Sequence, residues 1–250
     1  MVKSDIPVSQ IFLTLKEGVK ISNFPIYVRG GTMFNRITNK YTLFDDKKAD
    51  ALMKKYPEFY NMWKSVRFPI MRVDIVRFII LYHFGGFICD LDVFPVNKNL
   101  NEVIRGNEDK FIIFTPVDSF NYEVLYSPPK NEIMLEFVRF IKEQINEKGK
   151  MKIYDTWKGR FVLQTTGPKS FKRFLDKNHK NDANIKRIPI LSIYDATTAR
   201  KFLSEYRKYP FVSMATSEWL KLSGMKEIYG TKKEVRDEIL DDLYKVLDKS

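Results

Sequence analysis

The chain has 250 residues, enough for one large domain or two small ones, and its 44% hydrophobic and 14% aromatic content excludes a disordered chain. No apolar run reaches the roughly 18 residues of a bilayer-spanning helix, and the opening Met1-Val2-Lys3-Ser4-Asp5 carries no apolar signal-peptide core, so neither a span nor a leader is expected. The formal net charge of +12 favours anionic partners, but the lysines are spread along the chain without interleaved aromatics, which argues against nucleic acid as the partner.

The predicted elements alternate. A first buried strand is expected over residues 10–15 and a second over 41–44, closed by Asp45-Asp46. Asp46 is placed to cap a helix running to about Lys54, and Pro57 to open a short helix carrying Tyr60 and Trp63. Phe68-Pro69 starts an apolar helix over 70–84, which Gly85-Gly86 ends. Residues 87–89 form a short buried strand running straight into Asp90-Leu91-Asp92. Strands follow at 111–114 and 123–126, and Pro128-Pro129 breaks the chain. An amphipathic helix over 132–147 turns Ile133, Phe137, Phe140 and Ile141 inward. Val162-Leu163-Gln164 leads through Thr165-Thr166-Gly167-Pro168 into another helix. A strand near Phe211-Val212 precedes Ser217-Glu218-Trp219. A last helix over 233–247 gathers Val235, Ile239, Leu243 and Val246 on one side. This alternation predicts an α/β fold, and with no linker in view, one domain over 1–250.

The chemistry is concentrated between residues 72 and 92. At a strand end, residues i and i+2 share a side, so Asp90 and Asp92 can serve one ligand. Hard cations such as Mg²⁺ and Mn²⁺ take oxygen ligands and are often shared between one or two carboxylates and substrate phosphates. A bare Asp-x-Asp is also a common solvated turn. Its context is more telling, because the preceding helix is apolar nearly all round and still carries Asp74 and Arg77, one turn apart on one face. Buried charges need partners or a task. Either the two form an internal ion pair, or they open a polar face onto a ligand, with Arg77 on a phosphate and Asp74 on a sugar or ribose hydroxyl. His83 reads as a core or helix-end histidine, buried Cys89 as inert, and Asp45-Asp46 as a cap. Trp157 and Tyr154 either line an acceptor groove or pack. A single cysteine excludes internal disulfides and points to a reducing compartment, and two histidines leave little for a His-rich zinc site.

The block Arg-x-Asp-Ile-x-Arg (72–77), apolar helix, Gly85-Gly86, Asp90-Leu91-Asp92, Val93-Phe94-Pro95 resembles the DXD sugar-transferase region of glycosyltransferase family 32. That family includes Golgi α-1,6-mannosyltransferases, α-1,4-galactosyltransferases and bacterial capsule enzymes; the block is also similar to that of the clostridial glucosylating toxins. The close match covers about residues 68–97, with weaker similarity at Ile6-Pro7, at 11–16 and at 163–168. The resemblance implies a GT-A fold, a Rossmann-like mixed sheet flanked by helices with the DXD motif at its edge. It also implies a metal-dependent, retaining transfer of a hexose from a UDP- or GDP-sugar to a glycan, lipid-linked or protein-linked acceptor. On that reading Asp90 and Asp92 are the metal residues for Mn²⁺ or Mg²⁺, with Asp92 the direct ligand. Asp74 and Arg77 hold the donor sugar and its phosphates. Leu13, Thr14, Gly86, Leu91, Ser217 and Trp219 complete the donor site, unless Trp219 is a core residue instead. The chain departs from the pattern at Phe12 and Leu15, where many members carry a histidine and a tryptophan, and in lacking a histidine before Ser217-Glu218-Trp219. A cytoplasmic enzyme of bacterial or viral origin, peripheral at a membrane, is the expected setting. Two other classes compete: another metal-dependent phosphotransfer or hydrolytic enzyme, for which no second carboxylate set is evident, and a non-catalytic basic binding module.

Overall fold

The structure, a computed structural model, describes residues 3–116, 119–148, 158–193 and 196–216, with isolated positions at 242 and 245. Ser217, Trp219, Tyr154 and Trp157 lie outside the described residues, as does the helix expected over 233–247 apart from those two positions.

The first half contains β1 (Val8–Ile11), α1 (Pro25–Ile37), β2 (Tyr41–Phe44), α2 (Asp46–Met53), α3 (Pro57–Ser65), α4 (Pro69–Phe84), β3 (Gly86–Cys89), β4 (Val93–Pro95) and α5 (Leu100–Ile104). The second contains β5 (Phe111–Pro116), β6 (Val124–Ser127), α6 (Ile133–Lys148), α7 (Lys158–Thr165), α8 (Pro168–Asn178), β7 (Ile185–Ser192), α9 (Ala196–Glu205) and β8 (Phe211–Ser213). The strands form one mixed sheet in the order β2-β1-β3-β6-β5-β7-β8-β4. β1 runs parallel to β2 and β3, β5 parallel to β7, and β7 parallel to β8; β6 is antiparallel to both neighbours, and β4 to β8. A mixed α/β sheet with the Asp-Leu-Asp at the carboxyl end of β3 is the layout expected from the sequence.

Helix α4 fixes the site's position. Pro69 sits in its first turn, where a missing N–H costs nothing, and its apolar residues from Ile75 to Leu81 are buried in the main core. Its end is sharp: Gly85 N–H donates to the Leu81 carbonyl at 2.9 Å, and Gly86 follows at φ +79°. A Cβ on Gly86 would fall 2.2 Å from the Pro7 carbonyl oxygen, so only glycine lets β3 start beside the chain entering β1. Below the site, Phe78 of α4, Phe137 of α6 and Phe171 of α8 pack with ring centroids 4.6–5.1 Å apart. Tyr122, just before β6, stands on this cluster, 5.8 Å from Phe78 and 5.7 Å from Phe171. The hydrophobic core thereby supports the polar site directly.

Several elements differ from the sequence expectation. β1 ends at Ile11, because beyond it the chain leaves the sheet to form the site's wall. Asp45, not Asp46, caps α2 by accepting from Lys48 N–H at 2.8 Å, while Asp46 accepts from Thr14 N–H at 2.8 Å. α1 is unanticipated: Pro25 and the buried Tyr27, Phe34 and Ile37 carry a helical signal, but Gly30-Gly31 in its middle reads as a break. β7 is unanticipated too, since Lys186, Arg187 and Pro189 look unlike a strand interior. Pro189 is tolerated because β8 pairs only with Leu191 and Ser192, leaving the other side of β7 without a ladder at that point.

The glycines of α1 have a packing reason. A Cβ on Gly30 would lie 2.9 Å from the Leu91 carbonyl oxygen and 3.2 Å from that of Val93, so α1 rests backbone to backbone on the Asp-Leu-Asp turn. Replacing Gly30 by Ala improves helix propensity by up to about 1 kcal/mol, but overpacking against immobile carbonyls costs about 1–3 kcal/mol. A net loss of about 1–2 kcal/mol is expected for Gly30→Ala in urea unfolding, together with weaker ligand binding at the displaced turn. Unchanged stability would show that α1 can move away from the turn freely.

Candidate functional site

The Asp-Leu-Asp turn is held from three sides. Asp90 N–H donates to the Glu123 carbonyl at 2.8 Å, extending the β3–β6 ladder by one residue. Gln10, fully buried in β1, donates from Nε2 to the Asp90 carbonyl at 2.8 Å and accepts from the Tyr41 hydroxyl at 2.9 Å. Met214 N–H donates to the Asp92 carbonyl at 3.0 Å. With its backbone pinned, the turn presents both carboxylates to a cavity of about 720 Å³, whose wall includes Ile11, Phe12, Leu13 and Leu15. That volume suits a nucleotide-sized ligand.

Each carboxylate has a distinct partner. Asp90 Oδ1 pairs with Arg77 Nη2. Arg77 also donates to the Tyr122 carbonyl at 2.7 Å and lies 4.9 Å from the Tyr122 ring centroid. Asp92 Oδ2 accepts from both N–H and Oγ1 of Thr216, at 2.8 and 2.7 Å. Asp74 does not pair directly with Arg77. It accepts from the Thr166 hydroxyl at 2.6 Å and from the Tyr122 hydroxyl at 3.2 Å. A fourth acid, Glu123, accepts from Asn121 Nδ2 at 2.6 Å and from the Ser192 hydroxyl at 3.1 Å. All four carboxyls line the same cavity.

Crowding shows in the proton affinities. Burial pushes Asp90 up to about 6, with Arg77 opposing and Asp92 reinforcing the shift. Burial pushes Glu123 up to about 8, helped by the charges on Asp92 and Asp90. Asp74 is also raised by burial, against the pull of Thr166, Arg77 and Tyr122. These four acids share the cavity lining with Arg77, Lys169 and Lys201, and buried acids with raised proton affinity are typical of sites that bind a cation or polar ligand.

The structure brings Asp74, Arg77, Asp90, Leu91, Asp92 and Leu13 to the cavity. Two expected residues are elsewhere. Thr14 is bound to Asp46 and, through its carbonyl, to Arg72 at 3.3 Å, while its neighbours Leu13 and Leu15 line the cavity. Gly86 lies at the opposite end of β3 from the aspartates, against Pro7, and its task is backbone geometry. His83 is away from the cavity, bonded through Nδ1 to the Tyr56 hydroxyl at 2.8 Å, and buried Cys89 has its thiol pushed well up by desolvation. Sequence reasoning missed Gln10, Tyr122, Glu123 and Thr216. Only Glu123 left a trace, as a charged residue opening an otherwise apolar strand.

The raised acids set a pH dependence. A carboxyl whose pKa is higher folded than unfolded costs stability once ionised. For Glu123 the cost is absent at low pH, grows as pH rises through the ordinary carboxylate range, and is complete above about 8. The urea midpoint of the metal-free protein should therefore fall between pH 5 and 8.5, and Glu123→Gln should flatten that fall. A variant with the wild-type slope would show that Glu123 is not the group responsible.

Comparison with known proteins agrees with this geometry. Residues 5–110 match the family described as the glycosyltransferase sugar-binding region containing a DXD motif. Mannosyl phosphorylinositol ceramide synthase SUR1 of Saccharomyces cerevisiae is 41% identical over 104 residues, which cover 41% of this chain and 26% of that protein. Mannosyl phosphorylinositol ceramide synthase CSH1 from the same yeast is 29% identical over 103 residues, 41% of this chain and 27% of that protein. Inositol phosphoceramide mannosyltransferase 3 of Schizosaccharomyces pombe is 34% identical over 67 residues, 26% of this chain and 18% of that protein. The match thus spans about a quarter or less of the length of these curated relatives. Among solved structures, the PaToxG glycosyltransferase is similar over 97% of this chain and 86% of its own, at 11% identity and a TM-score of 0.47. The expectation of a bacterial or viral cytoplasmic enzyme is overturned, since the curated relatives are yeast proteins named for work on a ceramide lipid. It had rested on the absence of an anchor, which carries no information on compartment; among the described residues no helix is long and apolar enough to cross a membrane. Residues 5–110 of this chain are thus similar to the glycosyltransferase sugar-binding regions that contain a DXD motif, and Asp90-Leu91-Asp92 lies inside the matched segment.

Proposed function

We propose that the chain is a metal-dependent glycosyltransferase of the GT-A type. It moves a hexose, mannose being the first choice, from a nucleoside-diphosphate sugar to a hydroxyl of a phosphoinositol-bearing lipid, with retention of configuration. The observation that carries this reading is the convergence of Asp74, Arg77, Asp90 and Asp92 on the floor of one cavity, inside the segment that matches the DXD family. The choice of mannose and of the lipid acceptor follows the names of the yeast relatives. The net charge of +12 suits two anionic substrates.

The donor set fits a hard divalent cation. It is all oxygen, and Thr216 occupies only one oxygen of Asp92. Among the described residues no group of three or more His, Cys, Asp or Glu side chains is placed to hold a metal. Asp92, with Asp90 beside it, would hold Mn²⁺ or Mg²⁺, and the remaining positions suit diphosphate oxygens and water. When bound, the metal supplies Lewis-acid stabilisation of the departing diphosphate. The chain's own residues do the rest. Arg77 fixes the Asp90 rotamer and spreads positive charge beneath the phosphates. Asp74, held by Thr166 and Tyr122, offers its remaining acceptor capacity to a donor hydroxyl. The apolar wall at Ile11, Phe12 and Leu13 limits water around the reacting centre, which strengthens every charge interaction there.

Asp92→Asn is expected to reduce Mn²⁺-dependent hydrolysis and transfer from GDP-mannose, UDP-glucose or UDP-galactose at least tenfold, a loss of about 1.4 kcal/mol or more at the transition state. The melting temperature should stay near wild type, because the backbone contacts of the turn remain. Full turnover in EDTA would sink the metal-dependent reading.

A further inference from the structure

Glu123 is a buried carboxyl whose only hydrogen-bond partners among the described residues are neutral side chains. It continues the β3–β6 ladder directly opposite Asp90, so two acids occupy opposed positions of one antiparallel pair, an arrangement that disfavours ionising both. It is 5% exposed, its partners are neutral, and the one arginine of the floor is paired with Asp90 instead. A glutamine could bond Ser192 and Asn121 as well without placing a further acid beside two aspartates. A buried acid at a cavity floor, where a neutral side chain would serve the fold, calls for a ligand.

The surroundings say which kind. Asp90, Asp92 and Glu123 are not arranged as a three-carboxylate metal cage. Facing a diphosphate, another carboxylate would repel. What a carboxyl takes well is a hydroxyl, since it keeps acceptor positions whether protonated or ionised. Asn121 and the hydroxyls of Ser192 and Ser213 fill part of that capacity, while the carboxyl itself lines the cavity. Resting on the glycosyltransferase reading, we infer that Glu123 binds the transferred sugar by accepting from its hydroxyls, and so helps to decide which hexose the site accepts. Ser192 and Asn121 are positioning residues that hold the carboxyl in place. Selection by such a group is sharp, because a sugar lacking the matching hydroxyl leaves a buried acceptor unpaired.

The test separates sugar from nucleotide. With Mn²⁺ present, the wild type is first given GDP-mannose, UDP-glucose and UDP-galactose, and the one hydrolysed fastest becomes the probe. Its Kd and that of the matching nucleoside diphosphate are then measured by calorimetry for wild type, Glu123→Gln and Glu123→Asp, with melting curves for all three. The inference expects both variants to bind the nucleoside diphosphate within about twofold of wild type and the nucleotide sugar at least tenfold more weakly. Equal weakening of both ligands would assign Glu123 to the metal or diphosphate region, and no weakening of either would remove it from the site; each overturns the inference while leaving the glycosyltransferase reading intact. Failure of both variants to fold would make Glu123 structural and overturn it likewise. A wild type inert toward all three probes would instead bring down the glycosyltransferase reading, and this inference with it.

Discussion

The pairing of Arg77 with Asp90 is the interaction on which the rest of the site depends. It joins the middle of α4 to the end of β3, and it gives the buried guanidinium of Arg77 an opposite charge within a largely apolar helix. Removing one partner of such a pair leaves an uncompensated charge in a low-dielectric setting, which is far worse than never having had the pair. The surroundings are built to avoid that. Tyr122 gives Arg77 a carbonyl to bond and a ring to lie against, and the same side chain reaches Asp74 through its hydroxyl. Tyr122 in turn stands on Phe78 and Phe171, so the aromatic core and the charged floor form one packed unit.

That unit is not balanced on its own. Asp90 and Glu123 are both raised in pKa by burial, and the carboxyls of the floor outnumber its single arginine. A protein selected only for stability would replace such groups with apolar ones of similar size. Their presence in a cavity matches the general pattern in which function is supported by locally unfavourable electrostatics. A divalent cation and a polyhydroxylated ligand would relieve both parts of the imbalance: the metal answers the aspartates, and the hydroxyls answer Glu123.

Much of this was legible in the sequence, for physical reasons. An apolar helix holding two charges, a glycine stop and a strand running into Asp-Leu-Asp form a local pattern, and local patterns survive in one dimension. The α4–β3 unit accordingly lies where residues 69–89 predict it. What was lost depends on contacts distant in sequence. Gly30-Gly31 reads as a helix break until the Leu91 and Val93 carbonyls are seen against it. Pro189 argues against a strand until the short reach of β8 is known. Thr216 meets Asp92 from 124 residues away, and no spacing rule would pair them. Gly86 carried a real signal, but its cause is the Pro7 carbonyl and not a ligand.

Glycosyl transfer as proposed requires the Asp90–Asp92 floor to hold a divalent cation together with the diphosphate of a sugar donor. A crystal structure of the protein grown with Mn²⁺ and GDP, with the metal located by its anomalous scattering, tests this most directly. A manganese peak is expected between the Asp92 carboxylate and the diphosphate oxygens, with Arg77 still paired to Asp90. A peak located away from this floor, or a diphosphate bound there without metal, would contradict it.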